Sequence, residues 1–236
     1  CDCFWPMLGG SPLGLTAKAI SMLSHEQKRV RSSAMSSKTT QSKNPKPGLL
    51  ISPSRFFYAR SNLLAALLAT AVFAGYLVFV LMGKGAAFEV ANSSVRSLGT
   101  TLGFGQTEIL AFLAERSEPM ILAYINFNQV WDSLFALVYG VMYVIWVSVL
   151  FKPYSKRATI LNLLPFGQVV FDWLENFALA TLSNEYLAGG TISSTTAALA
   201  STFSTIKWVF SLLVYGVIFV GIVMRVVRAI KKRSQR

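Results

Sequence analysis

Residues 163–182 read LLPFGQVVFDWLENFALATL. It is apolar enough to cross a bilayer, yet it places Asp172, Glu175 and Asn176 within five residues. Helical spacing sets Asp172 beside Glu175 (i, i+3) and Asn176 (i, i+4). On insertion scales, one Asp at the centre of a membrane helix costs about 2.5–3.5 kcal/mol. The rest of the chain must therefore supply partners that offset this cost.

Working outward, three more apolar runs emerge. Residues 62–82, 129–151 and 205–227 each hold 20 or more consecutive, mainly apolar residues, enough for a ~30 Å hydrocarbon core. The stretch around Asp172 extends to 158–182, with Pro165 as a kink or a position near the helix start. The whole chain has 236 residues, is 53% hydrophobic and has a mean hydropathy of +0.52, beyond an ordinary soluble domain. The expected fold is all-α: a polytopic membrane protein with a four-helix transmembrane bundle over 61–228, preceded by a tail (1–60) and followed by a basic end (229–236).

Net charge is +12, but the basic residues sit in tails and one short loop, not on a face interleaved with aromatics. The footprint of nucleic-acid binding is missing. Lys/Arg cluster in 1–60, in Lys152, Lys156 and Arg157, and in Arg225–Arg236. The 84–127 and 183–204 loops are poor in them. The positive-inside rule then puts both termini on the cytoplasmic side, or its matrix or stromal equivalent. The host membrane is a plasma or inner membrane, or a eukaryotic endomembrane or organelle membrane.

Residues 1–60 are Ser-rich and basic, a composition that predicts disorder and also suits a transit peptide. Cys1 and Cys3 are the only cysteines and His25 the only histidine. Thiol, zinc and His-based chemistry therefore have no support in the spans, and neither a cofactor nor a metal is expected. Within the 84–127 loop, residues 106–116 predict a short amphipathic helix with Ile109, Phe112 and Leu113 on one side, ended by Pro119. Asn92-Ser93-Ser94 forms a glycosylation sequon. In 62–82, Ala66, Thr70 and Ala74 recur at a spacing that lets helices approach closely.

Orientation fixes depth. Asp172 and Glu175 lie ~21 and ~26 Å along an outward-running span, while Asp132 and Lys207 open inward-running ones. Asp132, Asp172, Glu175, Asn176 and Lys207 thus converge from three helices in the outer part of the membrane, and Gln168 extends the stripe toward the midplane. Three acids facing one lysine leave a formal charge of −2, to be met by a shared proton or a bound cation. Two readings stand side by side. One is a buried network that fixes helix register, as in a structural subunit of a membrane complex. The other is a site that binds or transports a small cation, a proton or a lipid headgroup. A lipid-modifying enzyme is a further alternative, with Asp172 or Glu175 as general base and Lys207 as electrostatic stabiliser. Trp131, Trp173 and Trp208 fit an interfacial belt. Residues 134–144, LFALVYGVMYV, and 210–220, FSLLVYGVIFV, align Tyr139-Gly140 with Tyr215-Gly216, either as packing contacts or as a two-plus-two repeat.

Taken together, Tyr124, Asp132, Tyr139-Gly140, the Asp172-x-x-Glu175-Asn176 motif and Phe203-Ser204-Thr205-Ile206-Lys207-Trp208 carry a resemblance. Over roughly residues 60–230 the chain resembles a family of uncharacterised four-span membrane proteins, mostly bacterial. A Gly-Arg that often precedes the second span in that family is replaced here by Ser117-Glu118-Pro119. The resemblance implies the four-span fold and a shared polar site, and no reaction.

Overall fold

The computed structural model describes residues 50–235 apart from 92, 94, 96 and 157–159. The regular elements are all helical, and no strand occurs among the described residues. In chain order they are α1 (Ile51–Arg60), α2 (Leu63–Tyr76), α3 (Met82–Gly85), α4 (Gln106–Ala114), α5 (Glu118–Asn126), α6 (Ser133–Phe151), α7 (Leu164–Gly189) and α8 (Ser194–Ser234). A π-helical segment, Leu77–Leu81, joins α2 to α3, and a second, Phe127–Asp132, joins α5 to α6.

Local chemistry sets the helix ends. Asn62 caps α2, its Oδ1 accepting from Ala65 N at 2.8 Å. Pro119 and Pro165 fall in the first turns of α5 and α7, where a missing N–H costs nothing. Pro165 therefore starts its helix rather than kinking it. Gly190 ends α7 in the left-handed region (φ +69°), and its N–H donates to Tyr186 O at 2.7 Å. Ser193 caps α8 through Thr196 N.

Three continuous helical runs are long and apolar enough to cross a membrane: Leu63–Phe88, Glu118–Tyr154 and Ser194–Ser234. They mark a membrane protein. With 26 residues, α7 spans ~39 Å and has the length to cross. Its Gln168, Asp172, Glu175 and Asn176 leave it short of the apolarity of the other three.

Several boundaries differ from the sequence expectation. The second apolar run begins at Glu118 instead of 129, because the α5 turn continues through the π segment into α6. Residues 194–204 are helix, not loop, because the Ser193 cap starts α8 eleven residues early; its 41 residues make it ~60 Å long. Residues 51–60 are helical instead of tail, and a buried polar knot fastens them. Ser54 Oγ donates to Asn162 Oδ1 at 2.6 Å, and Asn162 Nδ2 donates to Ser54 O at 3.0 Å and Ser148 Oγ at 2.9 Å. The 1–49 tail, with His25 and both cysteines, lies outside the described residues, as do Asn92 of the sequon, Arg157, and Ala158 at the expected start of the third span.

Helix α6 is the hub, packing against α2, α7 and α8, while α7 lies along α8. Gly140 lets α6 and α7 close together, since a Cβ there would stand 2.3 Å from Val169 Cγ2. Thr70, from the small-residue stripe of α2, accepts from Trp146 Nε1 at 2.9 Å, and Ala66 is fully buried. The larger apolar core gathers α4 and α5 over one end of α7 and α8, with Ile109, Phe112, Leu113, Tyr124 and Leu179 inside it. Helix α4 thus caps the helical body, with its apolar face inward. A smaller core at the other end holds Tyr58, Val147, Leu150 and Phe151.

Candidate functional site

The polar residues of α7 point into the protein. Asp172 is 4% exposed, Glu175 0% and Asn176 2%, all on one face of the helix, and α8 supplies Lys207 opposite them. The antiparallel run of α7 and α8 places that lysine level with both acids. Lys207 Nζ lies 3.4 Å from Asp172 Oδ1, pairs with the Glu175 carboxylate, and donates to Gly99 O at 3.1 Å. A lysine ammonium has three N–H groups, so these three acceptors use all of them. From α6, Tyr139 OH donates to Asp172 Oδ2 at 2.6 Å. Asp132, at the end of the second π segment, completes the group: Asp172, Lys207, Asn176 and Glu175 all act on its charge. Asp132 itself makes no ion pair among the described residues.

This cluster forms one wall of a cavity of about 1220 Å³. Asp132, Gln168, Asp172, Lys207 and Trp208 line it, whereas Glu175 and Asn176 stand behind that surface. The facing wall is apolar: Phe73 and Leu77 from α2 and the first π segment, Leu81, and Phe135 from α6. Ser93, Ser97, Thr100 and Arg116 line the end of the cavity toward α4. Both π segments border the cavity, and Tyr76, the last residue of α2, ties that helix to the second of them by donating its OH to Trp131 O at 2.9 Å. A π turn inserts a residue into a helix and re-aims the side chains beyond it, an arrangement frequent at functional sites. Here it bears on Asp132.

Three polar atoms of lining residues are buried without a hydrogen-bond partner: Gln168 Oε1, an acceptor, and Trp208 Nε1 and Tyr124 OH, both donors. Behind them, Glu175 Oε1 is in the same condition. Unmade bonds of this kind cost about 1–3 kcal/mol each when nothing fills them. Among the described residues, no group of three or more His, Cys, Asp and Glu side chains is placed to hold a metal ion.

All six residues singled out in the sequence belong to this region, but in two layers. Asp132, Gln168, Asp172 and Lys207 face the cavity; Glu175 and Asn176 back it. Three participants were not among them. Tyr139 follows Asp132 by seven residues, two helical turns, so the shared face was open to reading from the sequence. Gly99 O contributes only a backbone atom, which leaves no sequence signal. Arg116 stacks 3.4 Å over the Phe112 ring, and its Nε donates to Phe88 O at 2.9 Å. Burial lowers the pKa of its guanidinium from the usual arginine value, opposed by Tyr124 and Glu115.

The tryptophans divide. Trp131 and Trp173 sit at the periphery, with Trp131 Nε1 donating to Asn126 Oδ1 at 2.9 Å, Lys84 Nζ 4.6 Å from its ring, and Trp173 Nε1 donating to Ser133 O. Trp208 faces the cavity. The two Tyr-Gly pairs are not equivalent. Tyr139 is buried on Asp172 and Gly140 is crowded by Val169, whereas Tyr215 is 44% exposed and a Cβ at Gly216 would meet nothing within 4 Å. No known protein family, curated protein or solved structure matches the chain.

Proposed function

We propose that the chain is a multi-pass membrane protein of four spans, a four-helix bundle with its N-terminal tail and C-terminal end on the same, cytoplasmic-type side, and that it binds or carries a small amphipathic molecule within the bundle. The carrying observation is the cavity of about 1220 Å³ with carboxylates on one wall and phenylalanine and leucine on the other. Ligand pockets span roughly 300–1,000 Å³, so this volume suits a molecule with a body rather than a bare ion or proton. Three features support α7 as the fourth span. It has the length, its polar face is turned inward, and Val170, Trp173, Leu174 and Phe177 remain exposed on the opposite side as a lipid-facing surface. The basic residues at both ends of the described region support the common side.

Lipid mass spectrometry on the purified full chain tests the binding reading. The expected outcome is a co-purifying amphipathic species, depleted in Asp132→Asn at unchanged yield. Equal bulk-membrane composition in both proteins would sink it. Accessibility tags at the two ends test the topology and are expected to report the same side. A second reading has its own observation: Lys207, with all three donors satisfied, also acts as a register-fixing clasp between α7 and α8. Clasp and binding site share Asp172, and variants of Glu175 and Asp132 separate the two roles.

A further inference from the structure

The hydrogen-bonding capacity left over at the acid end of the cavity identifies the kind of ligand, on the premise that the cavity is a binding site. Lys207 has no donor to offer, because Gly99 O, Asp172 Oδ1 and the Glu175 carboxylate occupy its three N–H groups. Arg116 serves the other end, held over Phe112 by bonds to the Phe88 and Phe112 carbonyls. What remains at the acid end is mostly acceptor. Asp132 lines the cavity with no ion pair, Asp172 faces it beside Tyr139, and Gln168, 6% exposed, presents an Oε1 with no partner. Three carboxylates against one ammonium leave this end formally short of positive charge. An anionic head placed here would meet uncompensated carboxylates and no free cation. An ammonium head would meet charge-assisted acceptors, the stronger class of hydrogen bond. A compact metal ion fits poorly, since the acids are not gathered closely enough to coordinate one. The apolar wall of Phe73, Leu77, Leu81 and Phe135 calls for a hydrocarbon body. Helix α2 packs on α6 and not along α8, so α2 and α8 bound opposite sides of the same cavity without closing on each other.

We propose that the ligand is an amphipathic amine, docked with its protonated nitrogen on Asp132, Asp172 and Gln168 and its hydrocarbon along the α2 wall. The unpartnered Trp208 Nε1–H donates to an oxygen neighbouring that nitrogen.

The test uses the full-length protein in nanodiscs at pH 7, with empty nanodiscs as the partition control. Three chain-matched probes are titrated: dodecylamine, dodecanol and dodecanoate. At that pH an alkylamine, with a pKa near that of lysine at about 10.4, is charged. Dodecylamine is expected to bind at least tenfold more tightly than dodecanol, with dodecanoate the weakest. Asp132→Asn is expected to lower amine affinity at least fivefold while dodecanol affinity stays constant. That internal control holds even if the variant's melting temperature shifts. Dodecanoate binding as tightly as dodecylamine, or an Asp132→Asn variant with unchanged amine preference, overturns the amine assignment and leaves the cavity reading standing. No saturable binding of any probe above the empty-nanodisc control overturns both.

Discussion

Replacing Lys207 with Met keeps most of the side-chain volume and removes the only cation at the α7–α8 contact. The consequence follows from the geometry. Glu175 is fully buried and Asp172 nearly so, and Lys207 is the basic partner of both. If the contact were an ordinary interhelical hydrogen bond in a membrane, its loss would cost about 0.6 kcal/mol. Breaking a buried ion pair by removing one partner costs about 3–5 kcal/mol, because an uncompensated charge is left inside. The loss of the Gly99 bond adds about 1 kcal/mol. Burial decides between these figures, and Lys207→Met is expected to lose about 5 kcal/mol, a few thousandfold in the folded-to-unfolded ratio. Reversible unfolding of the detergent-solubilised protein, followed by loss of helix signal as denaturing detergent is titrated in, measures it. A double variant, Lys207→Met with Glu175→Gln, removes one of the stranded carboxylates and is expected to recover at least half of the loss. A Lys207→Met protein within about 1 kcal/mol of the native stability, or additive costs in the double variant, would refute the claim that the ion cluster is a desolvated unit.

Other substitutions report on other parts of the fold. Gly140→Ala is expected to destabilise by about 1–3 kcal/mol, since the new methyl meets Val169 Cγ2 at 2.3 Å in a stiff, buried valine; Gly216→Ala, with open space around it, is expected to be neutral or to gain up to about 1 kcal/mol of helix propensity. Parallel melting curves of the two variants decide. Asn162→Leu strips the two bonds to Ser54 of α1 and the one to Ser148 of α6, and limited proteolysis is expected to cut within 50–61 at rates the native protein does not show. Tyr139→Phe removes a donor from Asp172; a loss of about 1 kcal/mol is expected, with the helix content unchanged by circular dichroism.

The all-helical class and the convergence of the acids were legible in the sequence for physical reasons. Apolar runs of bilayer length have few alternatives to helix. Charge in the loops aligned three spans well enough to bring Asp132, Asp172, Glu175 and Lys207 to one level. The helix ends were less legible, because they depend on single caps. Ser193 extends α8 back through residues that look like a loop by composition, and Pro119 starts a helix as readily as it ends one. The two π segments were also out of reach, since a one-residue insertion into the helical ladder leaves no mark on hydrophobic periodicity. The layering of the site, with Asp132 and Asp172 facing space and Glu175 and Asn176 behind it, depends on where α2 stands. Helix α2 is almost wholly apolar, with Tyr76 at its very end, so nothing in its own sequence revealed that it forms the opposite wall.

The acid cluster is the wall of an open cavity and not a sealed knot. Thiol accessibility measures this most directly, because Cys1 and Cys3 are the only cysteines and serine replaces them without touching the spans. In that background, Asp132→Cys lines the cavity, while Asn176→Cys lies buried behind it and Ser183→Cys lies buried two turns further along α7, outside the cavity lining. Labelling rates with a small charged thiosulfonate are compared across the folded variants. The cysteine at 132 is expected to react at least tenfold faster than those at 176 and 183, and to be protected by dodecanol, whose binding does not depend on the carboxylate at 132. Equal, negligible labelling at all three positions would contradict the open cavity and leave only the structural clasp.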